Sequence, residues 1–232
     1  HGQFAFNRMK HAPFPVVGAP SGMALGGGCE ILLHCNATTP HSETYIGLVE
    51  AGVGLVPGWG GCKEVLGRAS VSESIKKGPM PPVQKTFELI AMAHVAKSAY
   101  EAKDALFFNP DDEVVMNKDR LLATAKAKAL EMAKDFTPPA PFTYALPGPT
   151  GRAAMNLGVR DFANKGVASP HDVTIADQLG MVLSGGKTDM LDYLKEEDIL
   201  KLERDGLTTL SKTKKTRERI AYMIKTNKPL RN

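Results

Sequence analysis

Three consecutive glycines, Gly26–Gly28, sit inside Ser21-Gly-Met-Ala-Leu-Gly-Gly-Gly-Cys-Glu30, directly after the apolar run Pro15-Val-Val-Gly-Ala-Pro20. No other feature constrains the chain as much. A strand-like segment has to turn here into a helix beginning near Cys29, and a backbone free of Cβ atoms permits both the turn and the close approach of a ligand. The N-terminus of that helix presents unpaired N–H groups and the positive end of a dipole. Backbone donors with a carboxylate close by suit a polarised carbonyl next to a proton-transfer group. A tight turn in which Glu30 only favours the helix dipole explains the decapeptide equally well.

A second segment shifts the balance. Glu50 lies in Tyr45-Ile-Gly-Leu-Val-Glu-Ala-Gly-Val-Gly-Leu-Val-Pro-Gly-Trp-Gly-Gly61, among Leu48, Val49, Ala51, Val53, Leu55 and Val56. Such neighbours desolvate a carboxylate, which raises its pKa and makes it a usable acid or base near neutrality. Glu30 after a Gly-rich turn and Glu50 in an apolar Gly-rich loop thus form a candidate acid/base pair.

Together the two segments resemble the crotonase (enoyl-CoA hydratase/isomerase) superfamily. The resemblance is carried by Pro15-Val16-Val17, by Gly22 to Glu30, by Glu50, and by Pro57-Gly-Trp-Gly-Gly61, in that order. Further segments (Glu43–Pro57, Gly61–Glu64, Phe87–Ala93 and Lys228–Asn232) are similar to bacterial bifunctional 3-hydroxyacyl-CoA dehydrogenase/enoyl-CoA hydratases. In that subgroup a hydratase-like module follows the dehydrogenase.

The resemblance implies an α/β, crotonase-like spiral fold followed by a mainly helical C-terminal region. Only about a dozen residues precede the Pro15 strand, so the chain is expected to be an N-terminally truncated piece of a longer protein. Starting at His1 fits that expectation. The implied substrate is an acyl-CoA thioester. Gly27 N–H would be one oxyanion donor, the second belonging to the segment that the family carries upstream. Glu30 would activate water at C3 and Glu50 would protonate C2, with Gly26, Gly28, Pro57, Gly58 and Trp59 contacting substrate; for Trp59, packing within its loop is an equal alternative. No metal or redox cofactor is implied for this part; NAD would enter only through a dehydrogenase domain of the same parent polypeptide. Alone, the chain is expected to be a weak or inactive catalyst. Two other readings stand beside hydration: Δ3,Δ2-enoyl-CoA isomerisation, and a non-catalytic assembly module for the dehydrogenase half. A homo-oligomer is compatible with all three.

Composition narrows the classes. Three cysteines without a CxxC, Cys29, Cys35 and Cys62, indicate neither a disulfide framework nor a zinc site. Cys29 reads as packing. With no long apolar run or signal-peptide layout, the expectation is a cytoplasmic protein without membrane insertion. Residues 201–232 hold ten Lys/Arg against three Asp/Glu. Lacking aromatic interleaving, this surplus reads as a solvated helical face with Ile220, Met223 and Ile224 inward, and not as a nucleic-acid site. His11, His34, His41, His94 and His171 are scattered singly and read as surface or packing residues.

Along the chain, residues 1–136 read as the partial crotonase-like core, with an insertion or mobile loop over 70–85. Helices are expected over Phe87–Ala96 and from Ser98, a short strand over Glu113–Met116, and a helix capped by Asn117. The apolar stripe of that last helix would be Leu122, Ala125, Ala129, Met132 and Phe136. Five prolines make 137–150 a linker. In the helical region 151–232, helices are expected over Arg152–Phe162, from Ser169-Pro170 to Gly185-Gly186, and from Glu196 to Thr226 with a break near Gly206 or Ser211.

Overall fold

A computed structural model describes residues 1–232. Helix α1 (Gly2–Lys10), to which the sequence reading assigned no element, precedes the strand β1 (Val17–Gly18). Strand β2 (Met23–Leu25) then leads into α2 (Gly27–Leu33), and β3 (Ala37–Thr38) and β4 (Tyr45–Gly47) follow. The strands pair in parallel: Val17 lies opposite Ala37, and Met23 opposite Tyr45. Between β2 and α2 the chain turns at Gly26, whose φ of 56° is one that L side chains rarely adopt. The Gly26 N–H donates to the Gly47 carbonyl at 2.9 Å, so the glycine turn is tied to the end of β4.

Glu50–Val53 forms a single 3₁₀ turn, closed by Gly54 in the left-handed region. Helix α3 (Gly61–Val71) starts directly after the Pro57–Gly60 loop. Beyond it lie α4 (Met80–Ala91), α5 (Ala99–Asp104) and α6 (Leu121–Met132). The loop expected over 70–85 is confined to 72–79. Pro81 and Pro82 occupy the first turn of α4, where a missing N–H costs nothing, instead of breaking structure. Helix α4 ends at Ala91, short of the expected Ala96.

Two expectations around α6 need correction. Val115 makes only an isolated bridge to His41, so Glu113–Met116 is no strand. Asn117 caps a 3₁₀ turn, Lys118–Arg120, and α6 begins one turn later. Its buried positions are Leu121 and Ala125, while Leu122 is exposed.

The stretch 137–150, expected as a linker, contains β5 (Thr143–Ala145), which pairs antiparallel with β6 (Tyr193–Lys195). The C-terminal helices are α7 (Gly148–Asn164), α8 (Pro170–Leu183), α9 (Glu196–Ser211) and α10 (Lys214–Thr226). Helix α8 opens with a reciprocal capping box between Ser169 and Asp172, which satisfies two otherwise orphaned donors. The break in the last helical stretch falls at Lys212-Thr213. Gly206 stays inside α9, facing Val182 and Val56. On α10 the inward residues are Thr216 and Arg219, and Ile224 points to solvent, contrary to the expected stripe.

One hydrophobic cluster draws on Cys29, Leu48, Leu66 and Ile90 as well as Leu179, Val182, Ile199 and Leu210. The helical region and the β/α part therefore share a core. Removing each such aliphatic side chain from water contributes about 1.5–3 kcal/mol, which fixes α8 and α9 against α3. That packing brings α9 to the Gly-rich loop.

Candidate functional site

The two glutamates come together. Glu30 is buried on the first turn of α2. Its Oε1 accepts the Trp59 N–H at 2.8 Å and the Gly61 N–H at 3.0 Å. Burial pushes the carboxyl up, opposed by these two backbone hydrogen bonds. Glu50 opens the 3₁₀ turn, and its Oε1 lies 3.3 Å from where a Cβ on Gly26 would stand. A side chain at position 26 would press on that carboxyl. Its other oxygen, Oε2, is buried and without a hydrogen-bond partner. Burial, and then the charge of Glu30, pushes Glu50 up to about 8.

Two neighbouring carboxyls therefore have different environments. The one held by two amides is the better anion, and the one with an unpartnered oxygen, pushed up to about 8, holds its proton more tightly. Pairs pushed apart in this way divide naturally into base and acid.

The glycine turn supplies backbone donors beside them. Gly26 O accepts from Cys29 and Glu30, while the N–H groups of Gly27 and Gly28 have no intramolecular acceptor. The Trp59 ring lies over Gly27, 3.4 Å from a hypothetical Cβ there, and packs edge-on against Phe6 of α1. Pro57 is buried at the base of the loop. Gly58 faces Leu207 of α9 and not the carboxylates. A cavity of about 620 Å³ lies elsewhere, bounded by Lys10, Cys35, Asn36, Glu64, Arg68 and Phe142, and neither Glu30 nor Glu50 lines it.

Several charged residues next to the pair went unnoticed in the sequence. Glu203 of α9 is fully buried and accepts the Gly60 N–H (Oε2) and the Lys63 N–H (Oε1), both at 2.8 Å. Burial and the Glu30 charge push it up to about 8. Behind the loop, Lys10 bonds Glu64 and Glu196 at 2.8 Å each, and Lys63 pairs with both of the same carboxylates. All four side chains are buried. Burial opposes ionisation of Glu196, but Lys63 and Lys10 hold it down to about 2. His34 Nδ1 lies 2.7 Å from the Glu30 carbonyl oxygen, and burial drives its pKa down to about 4. It is thus a neutral packing residue, as expected from sequence. The three cysteines are unpaired, and no cluster of metal-ligating side chains is present.

The fold is crotonase-like. The chain superposes on a carnitinyl-CoA hydratase from Mycobacterium avium with a TM-score of 0.55 and 18% identity, covering 93% of this chain and 62% of that one. A carnitinyl-CoA dehydratase from Mycobacterium avium 104 gives 0.52 and 19%, covering 93% and 63%. In sequence, the chain is 40% identical over 228 residues to a Bacillus subtilis (strain 168) protein named "Probable 3-hydroxyacyl-CoA dehydrogenase". It is 28% identical over 199 residues to the fatty acid oxidation complex subunit alpha of Psychrobacter cryohalolentis. The matches take in 97% and 82% of this chain but only 28% and 27% of those relatives' lengths. No protein-family model matches the chain. No helix is long and apolar enough to cross a membrane.

Proposed function

We propose that this chain carries the acid/base pair of an enoyl-CoA hydratase-type reaction, adding water to a trans-2-enoyl-CoA to give a 3-hydroxyacyl-CoA. One observation carries the reading: a buried carboxyl, Glu30, and a half-buried one, Glu50, in unlike environments flank a glycine turn with free backbone donors. The thioester oxygen accepts the Gly27 N–H, which stabilises the enolate-like charge that develops there. Glu30, whose anionic form the two amides favour, takes a proton from water as the oxygen bonds C3. Glu50, protonated at neutral pH, gives its proton to C2. Hydroxyl and hydrogen are added, and return of a proton from Glu30 to Glu50 through solvent resets the pair.

The name of the Bacillus subtilis relative supports placing this module beside a 3-hydroxyacyl-CoA dehydrogenase in a longer polypeptide. NAD would serve that other part, oxidising the alcohol that hydration creates. Neither metal nor redox cofactor is assigned to the hydration step.

The test is loss of the 2-enoyl absorbance of crotonyl-CoA with the longer parent polypeptide, compared with its Glu30→Gln and Glu50→Gln variants. A parent that leaves crotonyl-CoA unchanged but interconverts 3-enoyl- and 2-enoyl-CoA would replace hydration by isomerisation. A parent inert toward both would support the assembly-module reading.

A further inference from the structure

We propose that Glu203 is a positioning residue for Glu30: from α9 it holds the Trp59–Lys63 backbone in the arrangement that presents two amides to the Glu30 carboxylate. The inference deepens the reading of Glu30 as the base and rests on it.

The amides at the start of α3 are shared between two buried carboxyl groups in alternation. Trp59 and Gly61 donate to Glu30; Gly60 and Lys63 donate to Glu203. A helix start of this kind is ordinarily capped by the side chain of the N-cap residue. Here that residue is Gly60, with φ of 108° and no side chain to offer. Nor is there room for one, since a Cβ on Gly60 would stand 2.7 Å from the His34 ring. The loop is therefore gripped between His34 on one side and a carboxyl group 143 residues away on the other.

Without Glu203, the Gly60 and Lys63 amides have no acceptor, and buried amides cannot stay unpaired cheaply. Glu30 is the other carboxylate at this turn. Drawing it into the cap, or letting the loop slide, changes the aim of the oxygen assigned to water. Misplacements of about 1 Å can lower a rate roughly a hundredfold.

Trp59, the only tryptophan, reports on this loop without substrate. In the longer parent polypeptide, Glu203→Gln keeps the shape but replaces one of the two acceptor oxygens by an NH₂ that faces an amide donor. Expected are a shifted Trp59 emission and about tenfold faster hydrogen exchange over residues 57–63, the scale of one lost hydrogen bond. Expected too is a kcat for crotonyl-CoA hydration reduced roughly tenfold or more, with KM within about twofold. Leu202→Ala, on the same helix, serves as the control for general destabilisation and should move none of these at temperatures where it is folded. Unchanged emission and exchange in Glu203→Gln would overturn the proposal, as would a loosened loop with full kcat. A parent with no hydratase activity would count against the hydration reading and leave positioning of the loop to be judged by emission and exchange. Should Glu203→Gln fail to fold, Glu203→Asp, which keeps both oxygens on a shorter stem, takes its place with the same expected signs.

Discussion

Thr216 Oγ1 donates to the Gly54 carbonyl at 2.7 Å and lies 2.9 Å from His171 Nε2. The hydroxyl joins α10 and α8 to the end of the 3₁₀ turn that begins at Glu50. Thr216 is fully buried, so Thr216→Val strands a carbonyl and a ring nitrogen away from water. The expected loss is about 1–3 kcal/mol, read from urea unfolding. Hydration should slow as well, because the turn carrying Glu50 loses its anchor.

The carboxyl pair sets a pH profile. Glu50 acts as an acid only while protonated, and its pKa is about 8. Hydration should therefore decline as pH rises through about 8. Glu30 acts only as an anion, so the rate should also fall on the acid side of its own raised pKa. A bell-shaped kcat/KM profile results. Glu30→Gln and Glu50→Gln should each lower kcat by about 10²-fold or more. A profile flat across the alkaline limb would remove Glu50 from the acid role.

Stability follows the same group in the opposite sense from an ion-paired carboxylate. The Glu50 carboxyl rises from 4.5 unfolded to about 8 folded. Between those values the folded chain holds a proton that the unfolded chain has released. Stability therefore falls as pH climbs through this window and levels off above it. Thermal melting should show Glu50→Gln close to the parent near about pH 5 and above it near about pH 9. Equal melting temperatures at both values would contradict the burial argument.

The buried charges of Lys10, Lys63, Glu64 and Glu196 balance as two cations and two anions. Lys63→Met removes one cation and leaves two carboxylates sharing Lys10. Breaking a buried pair costs about 3–5 kcal/mol because a charge is left uncompensated. Denaturant unfolding should show a loss of that size, and Lys63→Met with Glu64→Gln together should recover part of it. A single-variant loss below about 1 kcal/mol, the scale of an exposed pair, would mean that water reaches the cluster.

What could be read from the sequence was local. The Gly26–Gly28 turn and the partial burial of Glu50 follow from neighbours within a few residues, where backbone freedom and apolar flanks act directly. Glu203 and Glu196 were missed because their partners lie more than a hundred residues away. A signal for Glu203 did exist: it falls on the stripe Ile199, Glu203, Gly206, Leu210 that α9 turns inward. A charge on such a stripe asks for a buried partner. Helix α10 misled for the converse reason. Hydrophobicity alone selected Ile224, yet the inward face is set by Thr216 on Gly54 and by Arg219 bonded to Asp172 and Ser169. On α6 the apolar residues Leu121 and Leu122 are adjacent, so periodicity could not choose between them.

The alternation of amides between Glu30 and Glu203 also has an order in time. A chain emerging from the ribosome exposes α2, the glycine turn and the start of α3 long before α9 has been made. Until then the Gly60 and Lys63 amides have no carboxylate to close on, since theirs lies 143 and 140 residues downstream. Contacts of such sequence separation form late because the intervening chain must first surrender its freedom. Loop and base are thus drawn into register only when the helical region docks, and the earliest-synthesised elements of this site are among the last to be completed.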